Sequence, residues 1–312
     1  MKSLLLALLL LSSAGQAFSQ GWEEDKPEKL RLDKGLKYNV EMQADFSSGS
    51  TPLWLNANRY GLSSLDETNG YVRAGLFRPL RTDSARRWGV GLDLAVPYNY
   101  TSNFVVQQAF VEARWLHGVL TVGSKQYPME LKDDRLSSGS QTFGINARPV
   151  PQVRLALPDY WTLPFANGWL HLKGHIAYGM MTDDGWQHDF TGKKSKYVDN
   201  VLYHSKAGYL KFGNENFFCP FSFELGLEMA STFGGTSYLP DGNGGMTAIK
   251  GDTGFSAFWN AFIPGGADVG ETTYQNAEGN QVGSWLVRLN WEEDLWRFSI
   301  YADKYFEDHS AM

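Results

Sequence analysis

The sequence predicts an all-β protein, an antiparallel transmembrane β-barrel of the bacterial outer-membrane type. Three observations predict it: apolar and polar residues alternate along many stretches, the connections between these stretches alternate in length, and the chain begins with an export signal. Aromatic and glycine residues are abundant (11 Trp, 15 Tyr, 19 Phe and 33 Gly), yet the mean hydropathy is -0.34. A barrel has this composition because half of each strand faces water, although a soluble β-sandwich shares part of it.

The N-terminal residues resemble a secretory signal. Lys2 supplies a positive charge, Leu4 to Leu11 form an apolar segment, and Ala17 and Ser19 are the small residues of a cleavage site before Gln20. The apolar segment is too short to span a bilayer, which disfavours the alternative of a retained anchor. The expected division is a signal peptide at 1–19, a periplasmic leader at 20–35 and an outer-membrane barrel domain at 36–312.

Strict alternation identifies the strands. In Leu36 to Phe46 every second residue from Tyr38 onward is apolar, and the residues between them are polar. A period of two places one set on each face of a strand. The eleven predicted strands are 36–46, 71–78, 88–100, 104–116, 119–125, 151–157, 169–180, 200–212, 221–229, 282–291 and 295–305.

The connections fall into two classes. Those at one end are short: 79–87, 117–118, 158–168, 213–219 and 292–294. Those at the other end are long, apart from 101–103: 47–70, 126–150, 181–199 and 232–281. Outer-membrane barrels have short periplasmic turns and long outer loops, so we expect the long connections to face outside.

The longest connection is predicted to contain a helix. Phe255, Phe258, Trp259 and Phe262 follow helical spacing, and Pro264 ends the pattern. We expect this helix to pack on the barrel mouth rather than to bind a partner, because apolar stripes usually pack locally.

Eleven strands are an odd number, whereas single-chain bacterial barrels have an even number. The last predicted strand runs outward and the sequence stops soon after it. We therefore expect a C-terminally truncated sequence rather than a miscounted strand.

Charge and cysteine content exclude several classes. The formal charge is -6, and removing Lys2 with the signal makes it -7, so no basic face for nucleic acid is expected. Cys219 is the only cysteine, which excludes an intramolecular disulfide. No later stretch is apolar for long enough to form a transmembrane helix.

Enzyme and cofactor motifs are not found in the sequence, so we expect no catalysis, cofactor or metal. His171, Lys173 and His175 share one face of a strand, but a third metal ligand is not evident, and polar lining is the preferred interpretation. A Ser/His/Asp arrangement like that of an outer-membrane phospholipase has no positive support.

The polar phase of the strands predicts a lumen. Basic residues facing lipid would cost about 2–4 kcal/mol each near the bilayer centre, so the charged phase must face inward. Both signs of charge occur, which favours a lumen that is ion-paired and stiff or plugged over a wide channel. The predicted lumen-lining residues are Glu41, Asp45, Asp93, Glu112, Arg114, Arg154, Lys173, His175, Glu224, Glu228, Arg288 and Asp303.

The connection at 181–199 has the composition of a sugar-binding loop. An indole beside carboxylates and an amide offers a stacking surface and hydroxyl partners. The predicted polysaccharide contacts are Asp183, Asp184, Trp186, Gln187 and His188. Two alternatives stay open: Trp186 as an anchor at the headgroups, and a cation site at Asp183, Asp184 and Asp189. Tyr160 and Trp161 form another aromatic pair, on the predicted periplasmic side.

Several ordered blocks resemble the capsule-assembly Wzi family of Bacteroidetes-like bacteria. They are Asn58 to Leu62, Gly123 to Lys125, Arg135 to Gly139, Asn146 to Arg154, Lys173 to Gly179 and Tyr203 to Lys206. The resemblance implies an eighteen-stranded outer-membrane barrel, longer than this chain, that acts as a lectin attaching capsular polysaccharide without enzymatic activity. Polysaccharide and outer-membrane lipid are the implied partners, and a monomer is expected.

The resemblance transfers no binding residue, but Arg148 and Arg154 lie in a matching block and suggest an anion-binding or, preferably, a structural role. A porin or transporter, and less favourably a barrel lipid hydrolase, remain alternative functions.

Overall fold

The computed structural model describes residues 35–49, 53–80, 87–137, 139–182, 185–192, 194–214, 219–263 and 281–307. Lys37 onward belongs to one compact unit. The predicted signal peptide and nearly all of the predicted leader lie outside the described residues. No helix among the described residues is long and apolar enough to cross a membrane.

The chain is mainly antiparallel β-sheet, which confirms the all-β prediction. One sheet contains eleven strands in the order β1-β2-β3-β4-β5-β6-β7-β9-β10-β13-β14. These are the eleven predicted strands, with ends that differ by a few residues. Their bounds are β1 Lys37–Phe46, β2 Thr68–Arg78, β3 Trp88–Tyr98, β4 Val105–Trp115, β5 Gly118–Ser124, β6 Gln152–Thr162, β7 Leu170–Met180, β9 Leu202–Phe212, β10 Phe221–Phe233, β13 Gln281–Glu293 and β14 Trp296–Glu307.

The two faces of this sheet have opposite polarity. Leu92 is 46% exposed whereas its neighbour Asp93 is fully buried, and along β1 Met42 is 79% exposed. Successive side chains of a strand point to opposite faces of the sheet. In this sheet the apolar set is exposed and the polar set is covered. We call these the apolar face and the polar face.

A second sheet of three strands, in the order β12-β11-β8, lies within the long connections. Its strands are β8 Tyr197–Asp199, β11 Thr236–Pro240 and β12 Met246–Lys250. The prediction that residues 232–281 contain only a helix was therefore wrong. Gly234 and Gly235, with φ of 63° and 76°, connect β10 to β11, and a residue with a Cβ would be strained at either position.

The predicted helix in this connection is present. We call Leu53–Asn56 α1, Trp186–Thr191 α2 and Phe255–Phe262 α3. In α3, Ala257 and Ala261 are fully buried against Phe233 at the end of β10. Tyr178 donates a hydrogen bond to the carbonyl of Phe258 (2.9 Å), so the helix packs locally as predicted.

Only part of the predicted apolar stripe faces the sheet. Phe255 is 85% exposed and Trp259 is 53% exposed. Phe258 does pack on the sheet, with its ring 5.3 Å from that of Tyr178 and 5.0 Å from that of Phe233, beside the small buried alanines.

β6 is longer than predicted. Residues 158–160 form an irregularity in the pairing with β7, and the strand continues to Thr162. A bulge accommodates Pro158, which has no N–H to donate. Beyond it Tyr160 donates to Glu224 (2.5 Å) on the polar face, while Trp161 stacks on His117. The aromatic pair inferred from the sequence thus divides between different neighbours.

Candidate functional site

The end of the large sheet that carries the long connections also carries exposed aromatic rings. Helix α2 lies between Gly185 and Gly192, both left-handed, with φ of 73° and 54°. Trp186 and Phe190 are four residues apart and therefore lie on one side of the helix. Their rings stack with centroids 5.1 Å apart and 11° between the planes. Because Trp186 is 42% exposed and Phe190 is 77% exposed, the pair presents ring surface to solvent.

The three-stranded sheet adds two tyrosines to this cluster. Tyr197 of β8 is paired in register with Tyr238 of β11, and their rings stack 4.7 Å apart. The His188 imidazole meets the Tyr197 ring edge-on at 5.7 Å, and its Nδ1 lies 2.9 Å from an Asp189 carboxylate oxygen. Rings that combine an apolar face with a polar edge suit a ligand that also has apolar and polar surfaces. We call Trp186, His188, Phe190, Tyr197 and Tyr238 the aromatic surface.

The predicted glycan contacts fall on this surface only in part. Trp186, Gln187 and His188 lie in α2, where the sequence predicted an irregular loop. Asp183 and Asp184 lie outside the described residues. Within the described ranges, no group of at least three His, Cys, Asp or Glu side chains is placed to hold a metal ion.

The polar face contains buried charges that are matched one to another. Asp93 accepts from Arg73 Nε at 2.9 Å and from Nη2 at 2.5 Å, and Gln108 donates to it at 3.0 Å. Glu112, which is also buried, pairs with Lys125. Burying a charge is costly unless a partner and hydrogen bonds compensate it, and these residues supply both.

Most of the other predicted polar-phase residues also have partners. Tyr209 donates to Glu228 at 2.8 Å, and Asn290 donates to Glu224 at 2.7 Å. The remaining pairs are Glu41 with Arg73 at 3.6 Å, Asp45 with Gln43 at 2.5 Å, Arg114 with Asp159 at 3.1 Å, Lys173 with Glu130 at 2.5 Å, Arg288 with Ser299 at 3.2 Å, and Asp303 with Lys132 at 2.6 Å.

The described part of residues 125–150, the crossing segment, covers the polar face. Glu130 reaches β7, Lys132 reaches Asp303 on β14, and Thr142 Oγ1 lies 2.7 Å from Ser284 Oγ on β13. Leu131 is buried against Tyr209 and Leu286. The sequence did not predict that residues 126–150, which connect β5 to β6, fold over the polar face, where Glu130, Leu131 and Lys132 find their partners.

Backbone hydrogen bonds and burial also shift the pKa values of two residues in the crossing segment. The N–H groups of Arg135 and Leu136 donate to Asp133, at 2.9 and 3.1 Å, and the former contact is the main reason that the pKa of Asp133 lies below its usual value. Burial raises the pKa of Tyr127 above its ordinary value of 10.0, an effect that the nearby Arg154 partly opposes.

A cavity of about 250 Å³ lies between the crossing segment and the polar face. Its lining includes Arg154 of β6, whose guanidinium carbon lies 3.9 Å from the centre of the Tyr127 ring. The Nε of Arg154 is buried and has no hydrogen-bond partner. Among the described residues no carboxylate lies within ion-pair distance of Arg154, unlike Arg73 and Arg114, which pair with Asp93 and Asp159.

The two histidines of β7 contact different groups. His171 lies 2.9 Å from Thr162 Oγ1 and 3.0 Å from the Gly213 carbonyl. His175 is buried at the cavity, with Nε2 3.4 Å from Ser205 Oγ and its ring 5.4 Å from the Phe143 ring. A serine nucleophile needs a base that a third group orients. No carboxylate hydrogen-bonds to His175 among the described residues, so a triad is not assembled there.

Sequence reasoning missed the residues that complete these contacts. The hydrogen bond to Glu228 comes from Tyr209, and the ion pair of Lys173 is with Glu130. The ring beside Arg154 is that of Tyr127, and Tyr238 completes the aromatic surface. Alternation does place Tyr209 on the same face as Lys211, but pairing over long sequence distances leaves no local signal.

Comparisons with protein-family models, with curated proteins and with solved structures found no match to this chain.

Proposed function

We propose that the chain forms a closed barrel in the bacterial outer membrane and attaches capsular polysaccharide to the cell surface without catalysing a reaction. This is the function implied by the resemblance to the capsule-assembly Wzi family. The observation that carries the proposal is the reversed polarity of the large sheet, whose apolar face is exposed and whose charged face is covered.

Reversed polarity favours lipid over water as the neighbour of the apolar face. Tyr38, Val40, Met42 and Phe46 on β1 alone are 74% to 85% exposed. Soluble monomers seldom expose contiguous apolar patches of more than a few hundred Å². Lipid tails would cover such a face at no cost, and strands of 9–11 residues are long enough to cross a bilayer when tilted.

Two contacts of the crossing segment support a strongly curved sheet. Gln126 lies 3.3 Å from Arg73 on β2, and only six residues later Lys132 reaches Asp303 on β14. Six residues span at most about 20 Å. β2 and β14 are nine strand spacings apart in the sheet order, which is about 43 Å if the sheet is flat. In a flat sheet, the side chains of these two contacts would have to be fully extended along one line to bridge the remaining distance between β2 and β14. A sheet that curves around the crossing segment brings the two strands closer together.

The aromatic surface supports a role in sugar binding. It lies with the long connections, which face the cell exterior in outer-membrane barrels. Its stacked rings, a histidine and Asp189 provide the stacking faces and hydrogen-bonding groups that a polysaccharide requires.

The crossing segment favours this function over that of a porin. Its ion pairs and the buried Leu131 occupy the face that would line a channel. In the same way, Ser205 and His175 are buried on the polar face, away from the lipid on which a barrel hydrolase would act.

The test compares cells that lack the chain with cells that regain it. We expect deletion to move capsular polysaccharide from the cell-bound fraction to the medium while its total amount stays constant, and the full-length chain to reverse this. A fall in total polysaccharide would instead indicate a role in synthesis or export. The barrel part is tested separately, because a mature chain that purifies as a monomer without detergent contradicts it.

A further inference from the structure

The cavity beneath the crossing segment contains a positive charge without a counterion. The Nε of Arg154 is shielded from water and has no hydrogen-bond partner, and no carboxylate among the described residues forms an ion pair with Arg154. A ring contact such as that with Tyr127 is worth about 2 kcal/mol when desolvated. Arg154 is partly buried, and the ring contact leaves its buried Nε without a hydrogen-bond acceptor.

The other charges of the cavity do not neutralise Arg154. Glu130 is bonded to Lys173 at 2.5 Å, and Glu228 accepts from Tyr209 and from Ser140. Arg148, which also lines the cavity, is exposed and has no carboxylate partner among the described residues. Two guanidinium groups thus line one space in which neither Glu130 nor Glu228 lies within ion-pair distance of them.

Two neutral groups at the same cavity also lack partners. The Oε1 of Gln152 is buried and accepts no hydrogen bond, and the hydroxyl of Tyr127 is buried without a partner. A buried acceptor of this kind needs a donor such as a hydroxyl group. The cavity therefore lacks both an anion for Arg154 and a hydroxyl for Gln152.

We propose that this cavity binds a hydroxylated carboxylate of monosaccharide size, a sugar acid, whose carboxylate pairs with Arg154. Arginine suits a carboxylate because its planar fork of donors matches the two oxygens. A space of 250 Å³ corresponds to roughly eight water molecules, which is enough for one sugar ring.

Tyr60 and Met181, which belong to two of the long connections, are among the residues that line the cavity. The assignment to a sugar acid rests in part on the proposed polysaccharide role. The assignment of a carboxylate site rests on the unpaired guanidinium alone.

The experiment uses the detergent-solubilised full chain and isothermal titration calorimetry with glucuronate, and with glucose as the uncharged analogue. We expect glucuronate to bind and glucose to bind at least tenfold more weakly. Arg154→Gln should weaken glucuronate binding about tenfold to a hundredfold, as expected for charge-assisted hydrogen bonds. Tyr127→Phe keeps the ring over Arg154 and should weaken binding only a few-fold.

Arg114→Gln is the matched control. It removes a guanidinium that already has a partner, Asp159, and that does not line the cavity, so binding should not change. Circular dichroism checks that each variant keeps its β-structure, and Tyr127→Phe provides a second measure if Arg154→Gln does not fold. Equal binding of glucose and glucuronate, or unchanged binding in both cavity variants, overturns the proposal.

The calorimetry also separates this inference from the proposed function. Glucuronate binding that depends on Arg154 supports the site even if deletion of the chain leaves polysaccharide on the cell. Loss of attachment in the deletion strain, together with no glucuronate binding to the purified chain, supports the function and overturns the site.

Discussion

Replacing Leu92 with arginine tests whether the apolar face meets lipid. Leu92 lies next to the middle residue of the 11-residue strand β3, in register with Leu76 of β2, and both are nearly half exposed. At the bilayer centre a lipid-facing arginine costs about 2–4 kcal/mol. That cost lowers the ratio of folded to unfolded protein by roughly thirtyfold to a thousandfold.

Leu116→Arg is the matched control. Leu116 is 89% exposed in the two-residue turn between β4 and β5, at the end of the strands, where the same substitution costs only about 0–1 kcal/mol in a barrel. The more exposed leucine should therefore be the more tolerant one. In water, by contrast, surface substitutions at both positions would stay within about 0.5 kcal/mol.

The assay is urea unfolding of the purified chain in lipid vesicles, followed by tryptophan fluorescence and circular dichroism. We expect Leu92→Arg to lose about 2 kcal/mol or more relative to Leu116→Arg. Equal changes in the free energy of unfolding would refute the idea that the apolar face lies in lipid.

Three further predictions concern the polar face, the aromatic surface and the crossing segment. Asp93→Asn should lower the free energy of unfolding by about 3–5 kcal/mol in the same assay, because the largely buried Arg73 loses its main partner. Asp159→Asn, at an exposed ion pair, should lower it by less than about 1 kcal/mol. Similar losses in the two variants would contradict the matching of buried charges. Trp186→Ala should lower the cell-bound fraction of polysaccharide severalfold. Trp296→Ala, which removes an indole that is 72% exposed at the opposite end of the sheet, should not lower it. Equal cell-bound fractions in the two variants would exclude Trp186 from the binding site. Burial raises the pKa of Tyr127 in the folded protein, so its contribution to stability is complete below about pH 10 and is lost as the pH rises through the pKa of the folded state. Tyr127→Phe should therefore reduce the loss of stability above pH 10. An identical alkaline profile for both proteins would contradict this.

Alternation in the sequence was a sufficient guide to the large sheet. It predicted all eleven strands and the alternating lengths of their connections, because a period of two is a local property of each strand. It failed within the long connections. Three residues such as Tyr197–Asp199 are too few to show a period, and they form a strand only because Thr236–Pro240 lies beside them.

The candidate site could be predicted less completely. The spacing of Phe255 and Phe262 indicated α3, but the sequence could not show that Ala257 and Ala261 would be its fully buried residues while Phe255 stays exposed. In the same way Trp186 could be singled out by its residue type, whereas its stacking on Phe190 depends on a short helix that the flanking glycines permit.

The sequence by itself determined which side chains share a face, since geometry forces neighbours in a strand to opposite sides. Only the tertiary structure decided how the charged face is satisfied. Lys132 meets Asp303 across 171 positions of sequence, and Lys173 meets Glu130 across 43, because the crossing segment folds back over the sheet. Partners so distant in the chain are chosen by packing and by the need to compensate buried charge, and neither leaves a pattern in consecutive residues.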